Sequence, residues 1–301
     1  MGGHNAQLQR QTDNQYGARL HHIGAGNTMR LIFTDLDGSL LDHSSYSFAP
    51  AAGLLDRLAE QLIPVIPVTS KTCAEVLSLR KTLDNSQPFI VENGAAIYLP
   101  KQYFEQCPED ANELDDYWVI ANSPPRSHWL QLLDEVGKPF AGEYQTFSSI
   151  CADEGTTGLA KLTGLTSEQA ALAQQREYSE PIHWLGSADR KAEFSLTLTN
   201  AGAHLLQGGR FLTMGGDTDK GRALLHLQGL YQQKFGACQS LAIGDSGNDI
   251  SMLEVADSAL IIRSENHSAP VLQRTTHFHL SKATGPNGWV EGVTAWLANQ
   301  Y

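Results

Sequence analysis

Short apolar runs alternate with segments of helical period in two separate parts of the chain. Residues 31–33, 65–68 and 89–91 each predict a short buried strand, and residues 50–62 repeat apolar side chains at helical spacing. A second helix is predicted after "VTSKT". The alternation resumes near Thr218, with the helix "DKGRALLHLQGLYQQ", the strand before "GDSGND", a helix through Met252 and Leu253, the strands "SALIIRS" and "HFHLS", and a terminal helix at 289–297. This order predicts an α/β fold, in which a parallel sheet is covered by helices.

Between the two parts, from residue 97 to residue 207, the alternation breaks. Helical segments are predicted at 127–136 and 167–177, and "EFSLTLT" predicts an antiparallel strand with Phe194, Leu196 and Leu198 on one face. We therefore expect an inserted α+β cap domain at 97–207, within a core formed by 29–96 and 208–301. Residues 1–28 are polar, and we interpret them as a flexible leader or a tag.

Composition and charge exclude several kinds of partner. The chain has 301 residues, 41% of them hydrophobic, and a formal net charge of -12, which argues against nucleic acid or an anionic membrane as a partner. No apolar run approaches the ~20 residues that a membrane-spanning helix needs. The four cysteines are scattered, which favours free thiols and a cytoplasmic location.

Polar side chains follow four of the predicted strands, where an open parallel sheet binds its ligands. They are Asp35 and Asp37, Thr69 and Ser70, Glu92 and Asn93, and Asp245 and Asp249. The Asp-x-Asp pair alone fits a simple turn. The four aspartates at one edge would repel each other unless a cation lay among them, and Mg²⁺ is the hard cation that carboxylates and a substrate phosphate bind.

Four segments of the core resemble the motifs of the haloacid dehalogenase superfamily of phosphatases. "DLDGSLLD" is similar to the first motif, "VTSKT" to the second, Lys220 in "DTDKGRAL" to the third and "GDSGND" to the fourth. The resemblance implies a Rossmann-like core and hydrolysis through an aspartyl-phosphate. Asp35 is then the expected nucleophile, Asp37 the acid and base, Thr69 a phosphoryl ligand and Lys220 the neutralising cation.

The same resemblance implies that Mg²⁺ is held by Asp35, by the backbone carbonyl of Asp37 and by Asp245. Asp249 is expected to orient the water of the metal or Lys220. Two alternatives stay open: Asp249 could be only a favourable charge at a helix N-terminus, and Lys220 could be a solvated helix lysine.

The insertion lies between the second and third motifs, and in this it resembles the inserted caps of sugar-phosphate phosphatases. Within that group, the chain resembles the mannosyl-3-phosphoglycerate phosphatase family. The matching segments are "SKTCAEV", "ENGAAI", "TGLTSEQAALAQQREYSEPI" and "GGRFLTMGGDTDKG". The resemblance implies hydrolysis of mannosyl-3-phosphoglycerate to mannosylglycerate and phosphate. The residues expected at the substrate are Ser70, Asn93, Gly94, Arg176, Glu180 and Arg210. A guanidinium suits the glycerate carboxylate because it can bond both oxygens, although a surface or salt-bridge role for the two arginines stays open.

Three other functions remain possible at this stage. A phosphomannomutase-like enzyme would return the phosphoryl group to the sugar, a sucrose-phosphate type enzyme would accept other sugar phosphates, and a binding protein would have lost catalysis. A small phosphorylated sugar is the expected partner in each enzymatic case. The chain is expected to be a monomer or a homodimer.

Overall fold

The computed structural model describes residues 28–101, 103–208 and 210–300. The predicted leader lies outside these residues, except for Thr28. The described residues form two compact units. Unit 1 contains the described residues up to Thr69, then Arg80–Ile120 and the chain from Asp219 onward, and unit 2 contains Ser70–Leu79 and Ala121–Thr218.

The strands and helices are named here in chain order. The strands are β1 (Met29–Thr34), β2 (Val65–Pro67), β3 (Phe89–Val91), β4 (Ala96–Pro100), β5 (Asn112–Leu114), β6 (Tyr117–Ala121), β7 (Tyr144–Thr146), β8 (Ser179–Trp184), β9 (His204–Gln207), β10 (Leu212–Gly215), β11 (Cys238–Gly244), β12 (Ser258–Arg263) and β13 (Phe278–Thr284). The helices are α1 (Ala52–Glu60), α2 (Cys73–Leu83), α3 (Arg126–Val136), α4 (Phe147–Thr163), α5 (Ser167–Ala173), α6 (Ala188–Asn200), α7 (Lys220–Phe235), α8 (Ile250–Val255) and α9 (Gly285–Leu297).

Unit 1 contains a five-stranded parallel sheet in the order β13-β12-β11-β1-β2. Strand β1 lies between β11 and β2, and Leu31, Ile32 and Phe33 are fully buried. Side chains buried on both faces are typical of a parallel sheet between helices, so the predicted α/β core is confirmed. The registers Thr34↔Ile243 and Thr34↔Pro67 bring the residues that follow these strands to one edge.

A second sheet in unit 1 has the order β3-β4-β6-β5. Strand β3 pairs antiparallel with β4, and a single parallel bridge, Val68↔Ile90, links it to the segment after β2. Residues 97–120, which include β5 and most of β4 and β6, therefore belong to unit 1, although they fall within the range 97–207 that was predicted for the cap.

Unit 2 contains a four-stranded antiparallel sheet in the order β7-β8-β10-β9, together with α3 to α6. Its core includes Trp129, Phe140, Ile182, Phe194 and Met214. Strand β10 pairs with β8 and β9, which explains why unit 2 extends past residue 207 to Thr218. The α+β content expected of the insertion is present, and its role as a cap stays a proposal.

The segment "EFSLTLT" is helical, so the predicted antiparallel strand is wrong. The Ser187 hydroxyl caps α6 by accepting the N–H of Arg190. Phe194 and Leu198, four residues apart, are fully buried, whereas Leu196 is 61% exposed. The alternating pattern is therefore a short part of a helical stripe.

In the part of the chain that the structure describes, no helix combines the length and the apolar character required to cross a membrane.

Candidate active site

The segments that follow β1, β2 and β11 meet at one edge of the parallel sheet. The Asp35 N–H donates to the carbonyl of Ile243 at 2.8 Å, and the Val68 N–H donates to the carbonyl of Thr34 at 2.8 Å. Asp35, Thr69 and Asp245 therefore follow directly from strands that are hydrogen-bonded in register. The polar edge predicted from the strand ends is present.

The segment after Asp35 folds into a tight turn that also makes room for Asp245 of the "GDSGND" loop. Gly38 donates to the carbonyl of Leu41 at 2.9 Å and has a φ of 78°. A Cβ at Gly38 would lie 2.5 Å from Oδ2 of Asp245. Asp-x-Asp-Gly is thus both a turn and part of the site, because only glycine lets the Asp245 carboxylate approach so closely.

Lys220 is fully buried between two carboxylates at the start of α7. Its Nζ donates to Oδ1 of Asp35 and to Oδ1 of Asp249, each at 2.6 Å. Burial acts to lower the pKa of Lys220, but Asp249 and Asp35 together raise it above its ordinary value, so the lysine is charged. Lys220 is therefore not a solvated helix lysine.

Asp249 is also buried, and protein groups occupy both of its oxygens. Oδ1 accepts from Lys220, and Oδ2 accepts the backbone N–H groups of Asp245 and Ser246, each at 3.0 Å. A role limited to the helix N-terminus does not account for these contacts. Asp249 holds the "GDSGND" loop in shape and fixes Lys220.

One group of carboxylates among the described residues can hold a metal ion. An oxygen from each of Asp35, Asp245 and Asp249 lies within 4.8 Å of the other two. Among the described residues, no hydrogen bond reaches Oδ2 of Asp35 or Oδ1 of Asp245. Since Asp249 is fully engaged, Asp35 and Asp245 are the carboxylates that fit Mg²⁺, which takes oxygen ligands and one or two protein carboxylates.

The electrostatics of the cluster also suit a cation. Burial raises the pKa of Asp35 well above its ordinary value; Lys220 opposes this rise, and Asp249 and Asp37 add to it. Burial likewise raises the pKa of Asp245, with a further contribution from Asp249. Two carboxylates that are costly to ionise in the protein alone would be stabilised as anions by a bound cation.

The remaining predicted site residues of unit 1 lie in adjacent turns. Asp37 is half-buried in the turn after β1, and Thr69 is fully buried. The Asn93 N–H donates to the carbonyl of Thr69 at 3.0 Å, and Gly94 follows in the same turn.

In unit 2, Arg176 is hydrogen-bonded to the "VTSKT" segment at Ser70. Its guanidinium donates to the carbonyl of Ser70 at 3.2 Å and to the hydroxyl of Ser179 at 3.0 Å. Thr72 makes a related contact, since its hydroxyl donates to the carbonyl of Leu172 at 3.0 Å. These bonds hold the segment at Ser70 and Thr72 against the last turn of α5 and the residues that lead into β8.

Glu180 is fully buried and pairs with a residue that the sequence did not single out. Its carboxylate accepts from Nε of Arg126 and from the N–H and hydroxyl of Ser148, at 2.9 and 3.0 Å. Arg126 follows "SPP" at the start of α3, and nothing in that pattern indicates its partner.

Arg210, the third predicted cap residue, reaches the end of a helix. Its guanidinium donates to the carbonyls of Leu162 and Thr163, at 2.8 and 2.6 Å, near the C-terminus of α4. A cation is favourable there because the last carbonyls of a helix lack intrahelical partners. A substrate contact by Arg210 stays a prediction.

Three further residues support the site and were missed. Trp289 of α9 donates to the hydroxyl of Thr34 at 3.1 Å, and that hydroxyl donates to the carbonyl of Asp35 at 2.7 Å. Nε2 of His267 lies 3.2 Å from Oδ2 of Asp245. Asn248 donates to Oδ1 of Asn93 at 3.0 Å. Only Asn248, inside "GDSGND", had a signal nearby in the sequence.

Two family models match separate parts of the chain, each of which lies mostly in unit 1. Residues 32–121 match a model described as haloacid dehalogenase-like hydrolase, and residues 205–297 match one described as sucrose-6F-phosphate phosphohydrolase. The chain is 34% identical over 263 residues to a glucosyl-3-phosphoglycerate/mannosyl-3-phosphoglycerate phosphatase from Methanococcoides burtonii. That alignment covers 87% of this chain and 95% of the relative.

Solved structures share the fold at low identity. The sucrose-phosphatase of Synechocystis, solved with sucrose and phosphate, is 14% identical with a TM-score of 0.55, over 90% of this chain and 98% of that one. A haloalkanoate dehalogenase superfamily phosphatase from Bacteroides thetaiotaomicron is 14% identical with a TM-score of 0.60, over 92% and 98%.

Proposed function

Because the chain belongs to the haloacid dehalogenase-like phosphatases, the family of its relative from Methanococcoides burtonii, we propose that it hydrolyses mannosyl-3-phosphoglycerate to mannosylglycerate and phosphate. The chain is a phosphoric monoester hydrolase of this family. The observation that supports the substrate is the 34% identity over 95% of that relative, whose name includes the glucosyl compound as well. We therefore propose glucosyl-3-phosphoglycerate as a second substrate of the same site.

The proposed reaction has two steps at Asp35. Its carboxylate attacks the phosphorus, the bond from phosphorus to the ester oxygen breaks, and Asp37 donates a proton to the leaving alcohol. Asp37 then accepts a proton from a water molecule that attacks the aspartyl-phosphate, which releases phosphate and restores Asp35. The free Oδ2 of Asp35 supports this assignment, because Oδ1 is engaged by Lys220.

The surrounding groups stabilise the charge that develops on the phosphoryl oxygens. Lys220 is charged and buried beside Asp35, so its positive charge acts in a region where water screens it little. Thr69 is proposed to donate to a phosphoryl oxygen. Asp249 keeps Lys220 in place through its own ion pair.

We propose Mg²⁺ as the cofactor, held by Asp35 and Asp245 with the backbone carbonyl of Asp37. When bound, it would supply positive charge to the phosphoryl oxygens and align the ester with the nucleophile. The acidic cluster of Asp35, Asp245 and Asp249, which brings an oxygen of each within 4.8 Å of the other two, supports this proposal. The scattered free cysteines among the described residues support a cytoplasmic location.

A panel of phosphate esters tests the substrate. Phosphate release is measured with Mg²⁺ present for mannosyl- and glucosyl-3-phosphoglycerate, sucrose-6F-phosphate, mannose 6-phosphate and p-nitrophenyl phosphate. We expect the highest kcat/KM with a glycosyl-3-phosphoglycerate, without any bisphosphate activator. A flat profile across the panel would refute the narrow assignment, and a strict need for a bisphosphate would favour a mutase.

The match of residues 205–297 to the sucrose-6F-phosphate phosphohydrolase model supports one rival function. The same panel decides this case. A kcat/KM for sucrose-6F-phosphate above that for both glycosyl-3-phosphoglycerates would assign the chain to that activity.

A further inference from the structure

The turn Glu92–Gly94, here called the ENG turn, has an unusual backbone. Its three residues have φ angles of 47°, 58° and 93° in succession. Residues with a Cβ rarely adopt this left-handed conformation, and two of these three carry one. Such a backbone persists where its surroundings hold it, and it concentrates near functional sites.

Asn93 links the ENG turn to two motif loops. Its backbone N–H donates to the carbonyl of Thr69, and its Oδ1 accepts from Nδ2 of Asn248, both at 3.0 Å. Thr69 is the proposed phosphoryl ligand, and Asn248 lies in the loop that carries Asp245 and Asp249. Asn93 is thus bonded to both segments at once.

Gly94 links the ENG turn to a third motif. A Cβ at this position would overlap the carbonyl oxygen of Asp219 and lie 3.1 Å from the backbone nitrogen of Lys220. The turn therefore packs directly on the first residues of α7, where the catalytic lysine begins the helix. No residue other than glycine fits this approach with a φ of 93°.

We propose that the ENG turn is a positioning element of the catalytic site, with Asn93 and Gly94 acting through Thr69, Lys220 and the "GDSGND" loop. This proposal rests on the proposed phosphoryl transfer at Asp35, but not on the identity of the sugar. A positioning role differs from the substrate-binding role expected from the sequence. Loss of a positioning contact lowers kcat for every ester, whereas loss of a sugar contact raises KM for the sugar substrate alone.

The first test uses Gly94→Ala, with Gly202→Ala as its matched control. Gly202 has a φ of 98°, but nothing lies within 4 Å of a Cβ there, so the control carries the backbone strain without the clash. We expect Gly94→Ala to lower kcat about 100-fold for p-nitrophenyl phosphate and for the best sugar phosphate alike. Gly202→Ala should retain the wild-type kcat, and an equal loss in both variants would overturn the proposal.

The second test keeps the backbone and removes the amide pair, so it does not depend on whether Gly94→Ala folds. Asn93→Gly retains the left-handed conformation, and Asn248→Ala removes the donor. We expect each to lower kcat about 10-fold with unchanged KM. Asn248→Ala also removes the acceptor of the Ser246 hydroxyl, so the double variant should lose no more than Asn248→Ala alone.

An increase in KM confined to the glycosyl-3-phosphoglycerates, with p-nitrophenyl phosphate turnover intact, would assign Asn93 to substrate binding and overturn the positioning role. Failure of the sugar assignment gives a different pattern. In that case the wild type prefers another ester from the panel, and the variants lose kcat on that ester.

Discussion

The two carboxylate oxygens of Asp35 differ in their surroundings, and this difference defines the chemistry of the residue. Oδ1 accepts from Lys220, while among the described residues Oδ2 has no hydrogen-bond partner. Asp35→Asn should retain the contact at Oδ1 and remove the proposed nucleophile. We expect phosphate release to fall at least about 1,000-fold with an unchanged circular dichroism spectrum. Substantial residual turnover would refute the nucleophile assignment.

Lys220 illustrates how strongly a buried charge depends on its partners. Lys220→Met leaves Asp35 and Asp249 buried together without a cation, and we expect it to lower the free energy of unfolding by about 3–5 kcal/mol, besides abolishing turnover. Chemical denaturation measures the change. Lys101→Met removes a lysine whose partner Glu113 is largely exposed, so it should alter stability little.

The proposed catalytic side chains could be selected from the sequence because each follows a recognisable strand or glycine-containing loop. Asp35, Asp37, Thr69, Lys220, Asp245 and Asp249 all belong to such segments. The supporting contacts were not predictable. Trp289 reaches Thr34 across 255 positions, and Arg126 reaches Glu180 across 54, so the pairings depend on the fold and on no local pattern.

At the scale of elements, α6 shows how a short alternating segment misleads. Phe194, Leu196 and Leu198 fit a strand with period two, but only the first and last of them are buried. The capping hydroxyl at Ser187 is the local signal that favours a helix. The segment was too short to separate the two periods by pattern alone.

This difference between helix and strand gives a direct test in unit 2. Leu196→Ala should change the free energy of unfolding by less than about 0.5 kcal/mol, because the side chain is exposed. Leu198→Ala should lower it by about 2–5 kcal/mol, because the side chain fills the core of unit 2. Urea denaturation compares the two variants, and equal losses would contradict the helical assignment.

For the whole molecule, the sequence indicated a core interrupted by an α+β insertion, but it did not give the bounds of the two units. The strands β4 to β6 continue from β3 by pairing, and β10 returns to the sheet of unit 2 before the chain reaches Lys220. Strand pairing over long separations decides such bounds. The break in the strand–helix alternation at residue 97 marks where the sequence pattern changes and not where the packing changes.

We expect metal binding to depend on pH, because both proposed carboxylate ligands are buried. Burial raises the pKa of Asp35 and of Asp245, so protons compete with Mg²⁺ for these carboxylates. We expect Mg²⁺ affinity to strengthen as pH rises through the acid range and binding to release protons. Calorimetry in buffers of different ionisation enthalpy measures both, and Asp245→Asn should release fewer protons. An affinity that is independent of pH would contradict the raised pKa values.

The raised pKa values of Asp35 and Asp245 also determine how the stability of the metal-free protein depends on pH. For a carboxyl group whose pKa is higher in the folded state, the stabilising contribution is complete below the ordinary pKa and is lost as pH rises through the folded value. Thermal unfolding of the chelated protein should therefore show this loss above the ordinary carboxyl pKa. Added Mg²⁺ should offset it by binding the ionised carboxylates of the folded state.

The chain of hydrogen bonds from Trp289 through Thr34 to the carbonyl of Asp35 has an optical consequence. A buried indole that donates to the residue next to the proposed nucleophile has an emission that depends on the local field and on the strength of that bond. We expect phosphorylation or its mimicry at Asp35 to alter both. Fluorescence of a variant that retains Trp289 as its sole tryptophan should therefore follow the formation and decay of the aspartyl-phosphate in real time.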